Sequence, residues 1–201
     1  MIALLAVPIA YLLGAIPFGY LLVKWKTGAD IRGAGSGNIG ATNVLRTTGR
    51  LAGVATLLLD IGKGYLAVWL AGRLSDQGPW WMSAAALAVM AGHAFPVFLR
   101  FQGGKAVASF VGAFFCLAPL AMAFEILVFV GVVAWTRHIS LGSIVGAATL
   151  PLAAWLVEQS PVIVVITAAI GGLFIIYKHR SNIQRLRAGT ENVFTLGASK
   201  H

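Results

Sequence analysis

Cysteine occurs once in 201 residues, at Cys116 in an apolar run, so one chain can build neither a disulfide nor a thiolate metal cluster. Acids are scarce as well, with six Asp and Glu against fifteen Lys and Arg. There is no paired-carboxylate motif such as Asp-x-x-Asp. The four histidines, His93, His138, His179 and His201, lack metal-ligand spacing. A chemistry without metal or other cofactor is therefore expected. Charged residues of either sign make up only 10%, where a soluble domain carries about 25%, and 59% of the chain is apolar with a mean hydropathy of +0.86. That excludes a soluble globule and points to an integral membrane protein. A net charge of +9 would suggest nucleic acid in a soluble chain, but no nucleic-acid signature is present. In a membrane chain, Lys and Arg first serve to mark the cytoplasmic face. Membrane lipids are the expected surroundings, and no protein partner is evident.

Hydrophobic segments recur at about 3–23, 51–72, 80–99, 106–135, 141–157 and 161–177, where one span needs about 20 residues. The fourth is long for one helix and short for two, and Pro119 near its middle interrupts the hydrogen-bond ladder. Charge decides the count. Two short spans meeting near Pro119 put the loop 24–50, Arg100 to Lys105, Arg137 and the tail after Tyr177 on one side, with 13 of the 15 basic residues. Arg73 falls on the other side and Lys63 within a span. A single span would send Arg137 and the tail outside, against the positive-inside rule. The expectation is an all-α fold with seven transmembrane helices, N-terminus outside and C-terminus cytoplasmic, in one polytopic domain over 1–201, the pair in 106–135 being short for full crossing. The apolar start lacks a basic n-region and reads as a retained first span. Trp25, Trp80, Trp81 and Trp135 fall near span ends, as interfacial aromatics do. Gly142 and Gly146 read as helix contacts, and Asp60 with Lys63 as an internal ion pair three residues apart. Glu125 has no obvious partner in the sequence.

Polar chemistry gathers in three segments that this topology brings to the cytoplasmic face. The first, Gly33 to Arg50, combines five glycines with Ser36, Asn38, Thr42, Asn43, Arg46 and no acid. Glycines turn backbone N–H groups toward one point, and such a concavity with cations and no carboxylate holds an anion, most often phosphate. The second runs from Gly92-His93 to Gly103-Gly104-Lys105, where freed N–H groups and a lysine at the start of the next helix form another anion site. The third holds His179, Arg180, Ser181, Asn182, Arg185, Arg187 and Gly189-Thr190-Glu191. Glu191 is expected to hold cations by salt bridges, the alternative being a general base. Gly35, Gly37 and Gly40 satisfy Gly-x-Gly-x-x-Gly, but a preceding membrane helix excludes a dinucleotide fold. Gly103-Gly104-Lys105 is no Walker loop, because Leu99 replaces its first glycine. No His-x-x-x-x-Asp pairing exists either, since Phe98, Ser143 and Gln184 follow His93, His138 and His179.

Ser36-Gly37-Asn38-Ile39-Gly40-Ala41-Thr42-Asn43-Val44-Leu45-Arg46, Gly92-His93-Ala94-Phe95-Pro96 through Gly103-Gly104-Lys105, and Gly189-Thr190-Glu191-Asn192 resemble, in order, the three motifs of the bacterial acyl-phosphate:glycerol-3-phosphate acyltransferase family, PlsY. Asp60 to Gly64 resembles its second-helix pattern. Ala106 departs from it, standing where the family commonly has glycine. The resemblance implies acyl transfer from acyl phosphate to the 1-hydroxyl of glycerol 3-phosphate at the cytoplasmic face of a bacterial inner membrane, giving lysophosphatidic acid and phosphate. Ser36, Arg46 and Lys105 would hold phosphate and stabilise developing charge, and His179 and Asn182 would orient a substrate. Gly37, Asn38, Gly40, Thr42, Asn43, His93, Gly103 and Gly104 would line the phosphate sites, with Glu191 structural. The proton acceptor is either a phosphate oxygen of the donor or His179. The rival reading, a transporter of a phosphorylated or anionic solute, calls for inverted repeats that the sequence does not display.

Overall fold

The computed structural model describes residues 2–194; Ser199, Lys200, His201 and the C-terminus, whose cytoplasmic location is expected above, lie outside the described residues. Those described are helical without strands, and they form ten α-helices and three short 3-10 turns. The chain divides into two compact units, 1–117 and 118–201.

The first unit contains α1 (Ala6–Ala15), α2 (Phe18–Thr27), α3 (Ala41–Thr48), α4 (Arg50–Leu74), α5 (Pro79–Ala94) and α6 (Val107–Leu117). Helices in lipid gain little from hydrophobic burial against one another, so close backbone approach must supply the contact. Glycines on both partners provide it. A side chain at Gly14 of α1 would strike the Val89 carbonyl of α5, and one at Gly92 of α5 would strike the Tyr11 carbonyl of α1. The same reciprocity joins α4 to α6, through Gly64 against Ser109 and Gly112 against Ile61. Helix α1 stops before Pro17, and α2 resumes at Phe18, so the apolar segment expected over 3–23 is broken in its middle. Pro17 has no N–H to continue the ladder. Beneath the loop that follows α2, Val23, Ile31, Ile39, Val44, Ala52 and Leu99 form a buried cluster that anchors the glycine-rich segment.

In the second unit lie α7 (Pro119–Thr136), α8 (Ile139–Leu156), α9 (Val162–Lys178) and α10 (Arg180–Arg187). The break expected near Pro119 is present, with Pro119 opening α7, a position where its missing N–H costs nothing. Glu158 accepts hydrogen bonds from the N–H groups of Leu120 at 2.6 Å and Ala121 at 3.0 Å, placing an anion at the helix start. Gly142 packs α8 on Phe129 and Val133 of α7, while Gly172 brings α9 onto the Ala147 carbonyl. Glu125 finds a partner 24 residues away, the Thr149 hydroxyl, which donates at 2.8 Å. Helix α9 bends by 59° into α10 at His179.

Among the described residues, five helical segments are long and apolar enough to cross a membrane, or six if α9 and α10 count as one bent span. Helix α6 has 11 residues, about 16 Å of rise against a hydrocarbon core of about 30 Å.

Candidate active site

The glycine-rich loop begins with a neutralised acid. Asp30 accepts from the Arg32 N–H at 2.9 Å and pairs with its guanidinium at 2.6 Å, and that bond holds the Asp30 carboxyl down at about 2. Gly35 and Gly37 follow in the left-handed region, at φ +58° and +69°. Asn43, 2% exposed, organises the turn they make. Its Oδ1 accepts the Ser36 N–H at 2.9 Å, and its Nδ2 donates to the carbonyls of Ala34 at 3.0 Å and Asn38 at 2.9 Å. Both Nδ2 hydrogens are thereby committed, so Asn43 shapes the loop in this state. Asn38 Oδ1 accepts the Gly40 N–H at 2.8 Å, and α3 starts at the next residue. Thr42 is in the first turn of α3, where backbone donors lack helical partners, and Arg46 follows one turn later with an exposed side chain.

The second segment folds back on His93. Arg100 and Phe101 take left-handed conformations after α5, and the Gly104 N–H then donates to the His93 carbonyl at 3.1 Å. Gly103 rests on that same carbonyl and on Pro96. A Cβ on Gly104 would strike His93 Nε2 and would lie 3.4 Å from Asn38 Oδ1. Asn38, His93 and Gly104, separated by up to 66 positions in the chain, are thus brought together. Lys105 is half-buried just ahead of α6, which begins at Val107 rather than at the lysine. Between them, buried Ala106 adopts φ +62°, the conformation for which glycine is suited.

Asp60 and Lys63 form the expected pair at 2.8 Å, both buried. Sequence spacing offers no carboxylate beside a histidine, yet His93 Nδ1 lies 3.7 Å from Asp60 Oδ1, because packing of α5 on α4 joins residues 33 apart.

In the second unit, His179 and Asn182 occupy the α9–α10 joint and the first turn of α10, 3% and 5% exposed. His179 Nδ1 is 2.8 Å from the Ile175 carbonyl. A carbonyl only accepts, so Nδ1 carries a proton. Asn182 Nδ2 donates to Glu191 Oε1 at 2.7 Å, Ser140 Oγ donates to the same oxygen at 2.9 Å, and Arg185 Nε donates to Oε2 at 2.7 Å. Burial pushes the Glu191 carboxyl up, but the hydrogen bonds from Asn182, Arg185 and Ser140 prevail and hold it below the usual range. The strand of chain after α10 is fastened by His138 Nδ1, which donates to the Asn192 carbonyl at 3.2 Å, and by the Phe194 N–H to the Arg137 carbonyl at 2.7 Å. Ser140 has no mark in the sequence beyond its place in the first turn of a helix. Among the described residues, no three His, Cys, Asp or Glu side chains group as metal ligands do.

Residues 4–189 match the family model described as glycerol-3-phosphate acyltransferase. The chain is 49% identical over 191 residues to the glycerol-3-phosphate acyltransferase of Geobacter sulfurreducens, covering 95% of this chain and 97% of that one. It is 43% identical over 195 residues to that of Aquifex aeolicus, covering 96% and 99%. It also resembles the crystal structures of PlsY (YgiH), an integral membrane glycerol 3-phosphate acyltransferase. The glycerol 3-phosphate form is 41% identical, with 96% of each chain covered and a TM-score of 0.91. The lysphosphatidic acid form is 40% identical, with 96% and 95% covered and a TM-score of 0.88.

Proposed function

Because this chain belongs to the glycerol-3-phosphate acyltransferase family, we infer that its glycine-rich segments hold the phosphate groups of two substrates while the acyl chain remains among the helices. The protein is an integral membrane acyltransferase of phospholipid synthesis, and it transfers an acyl group to glycerol 3-phosphate to form lysophosphatidic acid. The donor we propose is acyl phosphate. The observation that carries this reading is the meeting of the first two motifs at Asn38, His93 and Gly104, where glycine backbone is packed so closely that no side chain fits. Backbone N–H groups, Lys105 and Arg46 suit a phosphate there. The loop's acid, Asp30, is already occupied by Arg32.

The hydroxyl oxygen of glycerol 3-phosphate attacks the acyl carbon, the bond from that carbon to the bridging oxygen breaks, and phosphate departs. The hydroxyl proton passes to a phosphate oxygen of the donor, so the leaving group is its own base. Acyl phosphate is already activated, and no covalent acyl-enzyme is needed. The side chains of Ser36, Asn38 and Thr42 supply neutral donors, and Gly37 and Gly40 let the backbone turn closely around the phosphate; Arg46 and Lys105 stabilise the charge that develops on the departing phosphate. His179 and Asn182 orient the acceptor, and Glu191 holds Asn182. His179 is the protein alternative for the proton. Seven membrane helices with the N-terminus outside and the motifs in the cytoplasm, in one polytopic domain of a bacterial inner membrane, remain our reading of the topology. It rests on the distribution of Lys and Arg.

The donor is tested with the purified chain, excess chelator, glycerol 3-phosphate and either acyl phosphate or acyl-CoA at equal concentration. Acyl phosphate should give lysophosphatidic acid and phosphate in equal amounts. Efficient turnover of acyl-CoA would refute the donor assignment.

A further inference from the structure

Asp60 and Lys63 are 2% and 4% exposed in the middle of α4. A buried ion pair adds little stability over well-packed apolar residues of the same size, so the contacts of this one are worth following. Lys63 Nζ donates at 2.8 Å to the carbonyl of Ile16, beside the Pro17 break, and lies 5.6 Å above the Phe18 ring. The ammonium is thus fixed from the α1–α2 side. Asp60 Oδ1, held by that ammonium, faces His93 Nδ1 at 3.7 Å. The opposite edge of the same imidazole, Nε2, is the surface against which Gly104 packs, and the His93 carbonyl receives the Gly104 N–H. The carboxylate is therefore one side chain removed from the Gly103-Gly104-Lys105 turn.

We propose that Asp60 and Lys63 are positioning residues for acyl transfer: the carboxylate orients the His93 ring, and the ring sets the placement of Gly104, and with it Lys105 and the turn's N–H groups, against a substrate phosphate. The proposal rests on the reading of this turn as a phosphate site. Small displacements of such donors are costly because the geometry of the reacting groups depends on them.

The test uses the full-length purified chain, with melting temperature and the KM of both substrates as readouts. Asp60→Asn keeps an oxygen for Lys63 while removing the charge that faces His93. The double variant Asp60→Asn/Lys63→Met removes both charges. A purely structural pair would change the folded fraction and hence apparent kcat, leaving both KM values in place. A positioning pair should raise the KM of one phosphorylated substrate by about tenfold or more in folded protein, and it should be the substrate whose KM rises in Gly104→Ala. Folded variants with both KM values within about twofold of the parent, alongside a raised KM in Gly104→Ala, would overturn the proposal and spare the phosphate reading. No KM change in Gly104→Ala would overturn both. If neither charge variant folds, the parent labelled with 15N-histidine decides. The His93 ring signals, assigned by their loss in His93→Gln, should shift on saturation with glycerol 3-phosphate or inorganic phosphate, and unchanged signals would overturn the proposal.

Discussion

Replacing Glu191 with Gln separates a structural carboxylate from a catalytic one. Glu191 is 9% exposed and accepts from Ser140, Asn182 and Arg185. Gln keeps one oxygen of the same shape, which can still accept from Ser140 and Asn182, but its NH2 would then face Arg185 as a second donor. The lost term is one charge-assisted hydrogen bond, about 1.5–3 kcal/mol when buried. Arg185 is 36% exposed and water can take it over, so the net cost falls to about 1–2 kcal/mol. For a chain of this size that is roughly 2–8 °C in Tm. The sign of the pH dependence follows from the lowered carboxyl. The carboxylate's stabilisation is complete above its unfolded value, near 4.3, and is lost as pH falls through the lower folded value, so the parent should converge on the variant in acid. Thermal unfolding in detergent by tryptophan fluorescence, from neutral pH down to about 3, measures both. Activity should fall in step with stability, because loss of the Arg185 bond loosens the side chain on which Asn182 is anchored. A Glu191→Gln protein that melts with the parent at every pH yet is inactive would refute the reasoning and make Glu191 a base.

Arg46→Ala and Lys105→Ala should each lose on the order of a hundredfold in kcat/KM while remaining folded, and Arg187→Ala far less; near-normal rates in both would remove the cations from the site. Ala106, at φ +62°, should be relieved by glycine. Ala106→Gly is expected to raise Tm by roughly 1–3 °C, the relief of about 1 kcal/mol being partly offset by the freer unfolded chain; a lowered Tm would contradict this. For the topology, Cys116 is replaced and single cysteines are placed at Thr48 and Ser199. Both should resist an impermeant thiol reagent until the membrane is opened, and labelling of Ser199→Cys on intact cells would sink the seven-helix arrangement.

Much of this architecture is legible along the chain because its causes are local. Length and apolarity mark the helices, Pro119 announces where α7 starts, and glycine, asparagine and lysine mark the motif turns by what their backbones and side chains can do. Pro17 is as visible as Pro119, but the segment around it, 3–23, has the length of a single span, so only the break in the helix reveals its effect. What the sequence withholds is pairing across distance. His93 meets Asp60, Glu125 meets Thr149 and Glu191 meets Ser140 because helices pack at particular faces, and no short spacing encodes that. Asn43 is a subtler case. Its residue type suggested a donor to ligand, whereas its side chain is spent on three backbone groups of its own loop.

The central claim, acyl transfer by attack on the carbonyl of acyl phosphate, is tested most directly by placing 18O in the bridging position of the donor. After turnover with glycerol 3-phosphate, mass spectrometry of the products locates the label. Cleavage between the acyl carbon and the bridging oxygen predicts that the 18O leaves in inorganic phosphate and that lysophosphatidic acid carries none. Label retained with the acyl group would mean that the phosphorus–oxygen bond breaks instead, and would contradict the account.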